Sequence, residues 1–215
     1  MDKDLEHEIT NERLRFIAKI LSLYTHEIKN HMAIINESVG LIGDIVEFSD
    51  DSSQIDFEQI LELAQKTRTQ IKASSQFTSF LNHFAHRMDT DVSSFGVNEA
   101  LEELIVLLSK AAAQHSVAIV TEFEPAVKHV FNNPSLFQFL IFLLLYKTII
   151  AAKPDETINI KTRCLVNDVV VTITLPEGIS IDSDIVDYIV LKTGYKLQWT
   201  GQTVEIMIPA QPPEA

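Results

Sequence analysis

Two long stretches of apolar residues at helical spacing constrain the fold of this chain more than any other feature. The second stretch spans residues 54–88, and the first precedes it after a short polar turn. The first seam steps mostly by three and four residues, which lines one face of a helix; it consists of Ile17, Leu21, Tyr24, Ile28, Ile35, Ile42 and Ile45. The second apolar face includes Phe57, Leu61, Ala64, Ile71, Phe77, Phe80, Leu81 and Phe84. Two such helices predict an antiparallel hairpin.

The sequence predicts where the two helices of the hairpin begin and end, and it predicts apolar surface that one hairpin leaves exposed. We expect the first helix at residues 10–48 and the second at 54–88, with Ser53 and Asp56 spaced like a capping box in front of the second helix. A single hairpin cannot bury two apolar faces of this width. Pairing two hairpins into a four-helix bundle would bury them, so the pattern predicts a homodimer.

After a linker at residues 89–96, the pattern changes to shorter helices and strands. The predicted elements are a helix at 97–114, a strand at 117–123, a helix at 134–152, strands at 157–164 and 168–175, a helix at 182–192, and a hairpin with strands at 195–200 and 203–208. Asn98 is a candidate N-cap for the first of these helices, and Asn133 or Asn132 for the second. This order predicts a small α/β sandwich with helices on one face of a mixed sheet.

The predicted fold class is therefore α+β, in two domains. A helical-hairpin domain occupies residues 1–92, an α/β domain occupies 97–210, and residues 211–215 form a tail that we expect to be disordered.

The composition of the chain excludes some classes of binding partner and indicates its cellular compartment. The net charge of −13 argues against broad contact with nucleic acid or an anionic membrane, because both need excess Lys and Arg. The single cysteine, Cys164, excludes an internal disulfide framework and suits a reducing compartment. The polar N-terminus does not resemble a signal peptide, and the apolar run at 137–152 is too short and interrupted for a membrane span. We expect a soluble, cytoplasmic protein.

A polar motif, HEIKNH at residues 26–31, lies within the first helical stretch. His26 lies two residues from both Tyr24 and Ile28, and at about 100° per residue this places it on the side away from the seam. Asn30 follows one turn later, although Asn is a mediocre helix former and nothing local requires it. The periodicity alone fits an ordinary exposed histidine, whereas the motif indicates a histidine that another molecule reaches.

A helical hairpin carrying His26-Glu27-Ile28-Lys29-Asn30, followed by a small α/β domain, resembles the bacterial sensor histidine kinases. The resemblance is to their dimerisation and phosphotransfer domain plus their ATP-binding domain, and it covers nearly the whole chain. His31 stands where a proline is common in that family. The resemblance implies that His26 carries the phosphoryl group, that Glu27 deprotonates or orients the imidazole, and that Asn30 positions water for dephosphorylation of a partner.

The second domain departs from the family at the positions that bind ATP. Phe142 and Tyr146 stand where the family carries asparagines for magnesium and phosphate, and Thr174 stands in place of the adenine-binding aspartate. Only Gly178 remains of the following glycine box, and the interval between Gly178 and the next helix leaves no room for the mobile lid. The resemblance thus implies a degenerate ATPase fold of the Bergerat type.

The glycines support the same conclusion without the family. Phosphate-binding loops need closely spaced glycines, because the backbone must approach the phosphates and adopt positive φ. The chain has only six glycines: Gly40, Gly43, Gly96, Gly178, Gly194 and Gly201. No two of those in the second domain are close enough to form such a loop, so we expect this domain not to use ATP.

Within the family, these features are most similar to the histidine phosphotransferases of phosphorelays. The resemblance implies that one nitrogen of a neutral His26 imidazole attacks an aspartyl phosphate while the other nitrogen donates a hydrogen bond to Glu27. Lys29 would help to neutralise the charge of the phosphoryl group. The receiver domain of a response regulator would bring Mg²⁺ and the aspartate. We therefore expect no cofactor and no metal site in this chain.

Three alternative functions remain open from the sequence. The chain could be a phosphatase that uses Asn30 and water to drain a response regulator, a non-catalytic pseudokinase scaffold that binds a receiver, or an active kinase. For Lys29, a solvated helix face is also a serious alternative.

Other candidate residues have simpler interpretations. His31 lies on the seam and is expected in the core or an interface. His83 and His86 have metal-compatible spacing, but no further ligand is evident nearby in the sequence. Cys164 is expected to be a packing residue of a strand.

Overall fold

The computed structural model describes residues 3–49, 55–176 and 183–210. The elements are α1 Lys3–Glu47, α2 Phe57–His86, β1 Ser93–Phe95, α3 Val97–Gln114, β2 Ala118–Phe123, β3 Val130–Asn132, α4 Pro134–Ala151, β4 Thr157–Cys164, β5 Asp168–Thr174, α5 Ser183–Thr193, β6 Lys196–Thr200 and β7 Thr203–Pro209. The chain is α+β, as predicted. Of the predicted turn at 49–53, only Ser49 is among the described residues. Gly178, the interval after it that was predicted to have no room for the lid, and the tail at 211–215 lie outside them.

The hairpin forms as predicted, with α1 and α2 antiparallel. The rings of Tyr24 and Phe77 stack with centroids 5.5 Å apart, and His31 Nδ1 lies 2.6 Å from Gln70 Oε1 further along the hairpin. His31 is thus a half-buried residue between the two helices. The α1 helix begins earlier than expected, at Lys3.

The predicted start of α2 was wrong. Its N-cap is Asp56, whose carboxylate accepts a hydrogen bond from the Gln59 amide at 2.9 Å, so the helix begins at Phe57. Ser53, the predicted capping residue, lies outside the described residues. Asp and Ser are about equally good N-caps, so residue type alone does not decide between Ser53 and Asp56.

The second domain is built on a five-stranded mixed sheet with the order β2-β4-β5-β7-β6. β2 runs parallel to β4, and the remaining pairs are antiparallel. A second, two-stranded sheet pairs β1 with β3. These two strands were missed because each has only three residues, too few for a periodic pattern to be recognised in the sequence. The segment expected to be a linker contains β1.

Helices α3 and α4 pack against each other, and their buried apolar residues share one core with those of the five-stranded sheet. Asn133 caps α4 as predicted, accepting from the Leu136 amide at 2.8 Å, with Pro134 at the first helical position. The prediction of Asn98 as a cap was wrong: Gly96 is the N-cap of α3, and Asn98 instead donates to the Glu124 carbonyl. α4 alone among the described helices is long and apolar enough to span a membrane, and 78% of it is buried inside the molecule, as in a core helix.

The α1 helix has a second buried face, which the second domain covers. Phe16 is only 2% exposed, and its ring lies 4.6 Å from that of Phe142 on α4 and 5.4 Å from that of Phe84 on α2. The buried residues of this face are Ile9, Phe16, Ile20 and Leu23. Leu21, predicted on the buried seam, is 48% exposed. It was assigned to the wrong face because the single predicted seam did not anticipate a second partner beside α2.

An ion pair joins the second domain to the C-terminal end of α2. Arg87 donates two hydrogen bonds to the carboxylate of Glu103 on α3, each 2.8 Å long. The Glu103 side chain is buried, and its hydrogen bonding raises the pKa of Arg87 above its usual value. Together with the packing around Phe16, this pair ties the α/β domain to the hairpin.

Candidate functional site

The polar motif lies about midway along α1, and its side chains differ in their exposure. His26 and Lys29 are exposed, while Glu27 and Asn30 are half-buried. The exposure of His26 agrees with the sequence prediction. Because the four residues belong to one continuous helix, their spacing is set by the helix itself.

Asn30 links His26 to Glu27. Its amide nitrogen lies 3.3 Å from His26 Nδ1 and 3.3 Å from Glu27 Oε2. An amide nitrogen has two N–H groups and can donate to both acceptors. When Nδ1 accepts this bond, the single proton of a neutral imidazole resides on Nε2.

Glu27 is turned towards groups other than His26. Its carboxylate lies 3.9 Å from His31 Nε2 and 3.8 Å from the ammonium of Lys110 on α3. Among the described residues, the structure gives no direct hydrogen bond between Glu27 and His26. Lys110 was missed by sequence reasoning, and no local signal could have revealed it, because only the packing of the second domain brings it to α1.

Lys29 projects from the same helix and pairs with none of the described residues. It is exposed. The structure therefore leaves it available to a molecule that approaches His26.

The helix α4 presents aromatic groups at the positions where the resemblance implied asparagines. The rings of Phe142 and Tyr146 stack with centroids 5.0 Å apart. Phe142 packs on Phe16, and the ammonium of Lys19 lies 5.1 Å from the centre of the Tyr146 ring. α1 thus covers this face of α4. Thr174, at the predicted position of the missing aspartate, ends strand β5 with its hydroxyl 3.4 Å from that of Thr203.

Within the described ranges, no three His, Cys, Asp or Glu side chains are grouped to hold a metal ion. His86 pairs with Asp89 at 2.9 Å, while His83 lies 3.7 Å from Glu103. Both histidines line a surface cavity of about 560 Å³ between α2 and α3. The half-buried Cys164 donates its thiol to the Leu165 carbonyl, in keeping with a packing role.

Comparison with known proteins gives similarity only at the level of fold. No family model matches the sequence, and no curated protein matches it. A solved structure of the histidine kinase ThkA in complex with the response regulator protein TrrA aligns over 100% of this chain and 69% of that chain, at 16% identity and a TM-score of 0.49. The Acinetobacter baumannii histidine kinase AdeS aligns over 86% of this chain and 98% of that chain, at 13% identity and a TM-score of 0.49.

The cytoplasmic segment of the histidine kinase QseC aligns over 64% of this chain and 93% of that chain, at 14% identity and a TM-score of 0.45. At such values the likeness assigns neither a family nor an activity to this chain. The functional conclusion rests on the residues of the chain itself.

Proposed function

We propose that this chain is a cytoplasmic, dimeric histidine phosphotransferase of two-component signalling. It passes a phosphoryl group through His26 to or from the aspartate of a response-regulator receiver domain, without using ATP. The proposal rests on one observation: His26 is exposed on a helical hairpin, and the side-chain amide of Asn30 lies within hydrogen-bond distance of both His26 Nδ1 and the Glu27 carboxylate.

The chemistry needs few groups from this chain. The lone pair on Nε2 of His26 attacks the phosphorus of an aspartyl phosphate in line, and the N–P bond forms as the P–O bond to the aspartate breaks. The aspartate leaves as a carboxylate. For this attack the imidazole proton must be on Nδ1 rather than on Nε2, and Glu27 would accept its hydrogen bond after Nδ1 is released from the Asn30 amide. Lys29 offsets part of the phosphoryl charge. Mg²⁺ would belong to the receiver domain, as would the aspartate.

The aromatic face of α4 supports the view that ATP is not used. A nucleotide would need polar groups and space where Phe142 and Tyr146 stack and pack against α1. Any ligand that binds only the folded chain must raise its melting temperature. We therefore expect millimolar Mg²⁺-ATP to leave the melting temperature unchanged; a clear increase would favour an active kinase.

The outer half of the hairpin supports a homodimer. Apolar side chains are exposed there in both helices and directly after α1: Met32, Val39, Leu41, Val46, Phe48, Phe57, Leu61 and Ile71. Exposed apolar residues in such number along two adjacent helices are typical of a surface that another protein covers. A second copy offers the same surface, and two hairpins complete a four-helix bundle.

Asn30→Ala distinguishes transfer from simple dephosphorylation. With a receiver carrying labelled phosphate, the wild-type chain should take up label, and Asn30→Ala should still take it up while releasing less free phosphate. If label leaves the receiver only as free phosphate, and Asn30→Ala abolishes that release, the chain is a phosphatase. If label stays on the receiver with both proteins although the two bind, the chain is a scaffold.

A further inference from the structure

The second domain contributes a side chain to the phosphotransfer motif. Lys110, on α3, places its ammonium 3.8 Å from Glu27 Oε2, and about a third of its side chain is exposed, at 34%. Glu27 also lies near His31 and accepts the Asn30 amide. The charge of the carboxylate next to His26 is therefore matched by a lysine from another domain.

We propose that Lys110 is a positioning residue through which the second domain holds the His26 site in a resting arrangement. This inference rests on the proposed role of His26 in phosphotransfer. While Lys110 holds Glu27, the Asn30 amide donates to both Glu27 and His26 Nδ1. The imidazole proton is then on Nε2, so the lone pair that must attack phosphorus is missing.

The packing of the two domains fixes Lys110 in this place. The covered face of α1 steps by four and three residues and ends at Glu27; its members are Ile9, Arg13, Phe16, Ile20, Leu23 and Glu27. Along it, Arg13 donates to Ser135 at 2.9 Å and Phe16 packs between aromatic rings of α2 and α4. When the second domain packs on α1 through these contacts, Lys110 lies next to Glu27, the last residue of the covered face.

The resting arrangement can be released by the phosphoryl group itself. An aspartyl phosphate has more negative charge than a carboxylate and accepts strong hydrogen bonds from an ammonium group. Lys110 is accessible enough to be drawn to a phosphoryl group that approaches His26. The neutral imidazole can then lose its Nε2 proton to water and take up a proton from water on Nδ1, where Glu27 accepts the N–H hydrogen bond, and Nε2 has a lone pair for attack.

The first test measures where the proton resides and needs no partner. Nitrogen-15 NMR of histidine-labelled protein distinguishes a proton on Nε2 from one on Nδ1. We expect the neutral form of His26 in the wild type to carry it mainly on Nε2, and Lys110→Met to increase the Nδ1–H form at least twofold. Lys110→Arg should restore the wild-type spectrum, and Lys147→Met, at an exposed lysine of α4, should not alter it.

The second test measures transfer from a phosphorylated receiver to the same variants. Lys110→Met should accelerate uptake by about two- to fivefold, the range of a partly exposed ion pair. A His26 spectrum unaffected by Lys110→Met would overturn the inference, as would a rate of uptake that falls in Lys110→Met. If the spectrum shifts as expected but no variant takes up phosphate, the positioning holds and the proposed function fails.

Discussion

The two halves of the helical hairpin have the same amphipathic pattern but different surroundings. In the half near the second domain, Phe16, Ile20 and Phe84 are buried, since α4 and α2 close over them. In the outer half, Phe57 and Leu61 are 68% and 58% exposed. The pattern itself does not distinguish these halves, and His26 lies where one gives way to the other.

The difference shows which partner each apolar face has. The apolar face of the inner half is buried within one chain, because the α/β domain packs against it. No described part of the chain covers the apolar side chains of the outer half, and we propose that a second copy of the chain does so. The largest effects on the stability of the single chain should therefore arise in the inner half, and the largest effects on assembly in the outer half.

Phe16→Ala should give the largest loss of stability. Removing a buried aromatic ring from a packed site costs about 3–5 kcal/mol of unfolding free energy. Urea denaturation should show this loss at any protein concentration. Phe57→Ala is the matched control in the outer half, and its effect should be small and should depend on concentration. Equal losses in the two variants would contradict the distinction between the halves.

Arg87→Met should come next, because it breaks the contact that ties α2 to α3. It leaves the buried carboxylate of Glu103 without its cation, and removal of one partner of a buried pair costs about 3 kcal/mol. Arg15→Met is the control, since the pair of Arg15 with Glu12 is exposed. Thermal unfolding of both variants would measure the difference; similar melting temperatures would show that the pair does not fix the domain.

Leu61→Asp should separate the proposed dimer without unfolding the chain. A charge within an apolar interface should weaken association at least about tenfold, equivalent to about 1.4 kcal/mol. Sedimentation at several concentrations measures this directly. Leu191→Asp, at a 73% exposed residue of α5, should leave the mass unchanged. A wild-type chain that stays monomeric at high concentration would refute the second copy as the partner.

Lys19→Met should give the smallest effect. It removes the cation near the Tyr146 ring but keeps most of the aliphatic side chain, so the expected loss is about 0.5–1 kcal/mol. Lys19→Arg should be nearly neutral, since a guanidinium also stacks on an aromatic ring. The urea midpoints of the two variants, compared at equal slope, would test this; identical losses would indicate that the charge over the ring contributes nothing.

Elements with strong local signals could be predicted from the sequence. The bounds of α3 and β4 match the prediction because periodicity marks them clearly, and those of α4, which has the predicted Asn133 cap, differ by one residue. The short strands β1 and β3 were missed, since three residues carry too little pattern. The assignment of Leu21 to the core failed because the domain that covers Phe16 and Ile20 is far away along the chain.

The same limit applies to the site. The motif and the helical geometry predicted that His26 is exposed and that Asn30 lies one turn away. Neither predicted that Glu27 turns towards Lys110, because that contact depends on how α3 packs against α1. The roles of His26, Glu27, Lys29 and Asn30 remain predictions that need chemical tests.

The most direct test of the account is the chemical nature of the label after transfer from a phosphorylated receiver. We predict acid-labile, alkali-stable label on the wild-type chain and none on His26→Ala, because phosphohistidine has this stability and His26 is the acceptor. The two proteins should have the same melting temperature, since His26 is exposed. Label of this kind on His26→Ala, or acid-stable label on the wild type, would contradict the central claim.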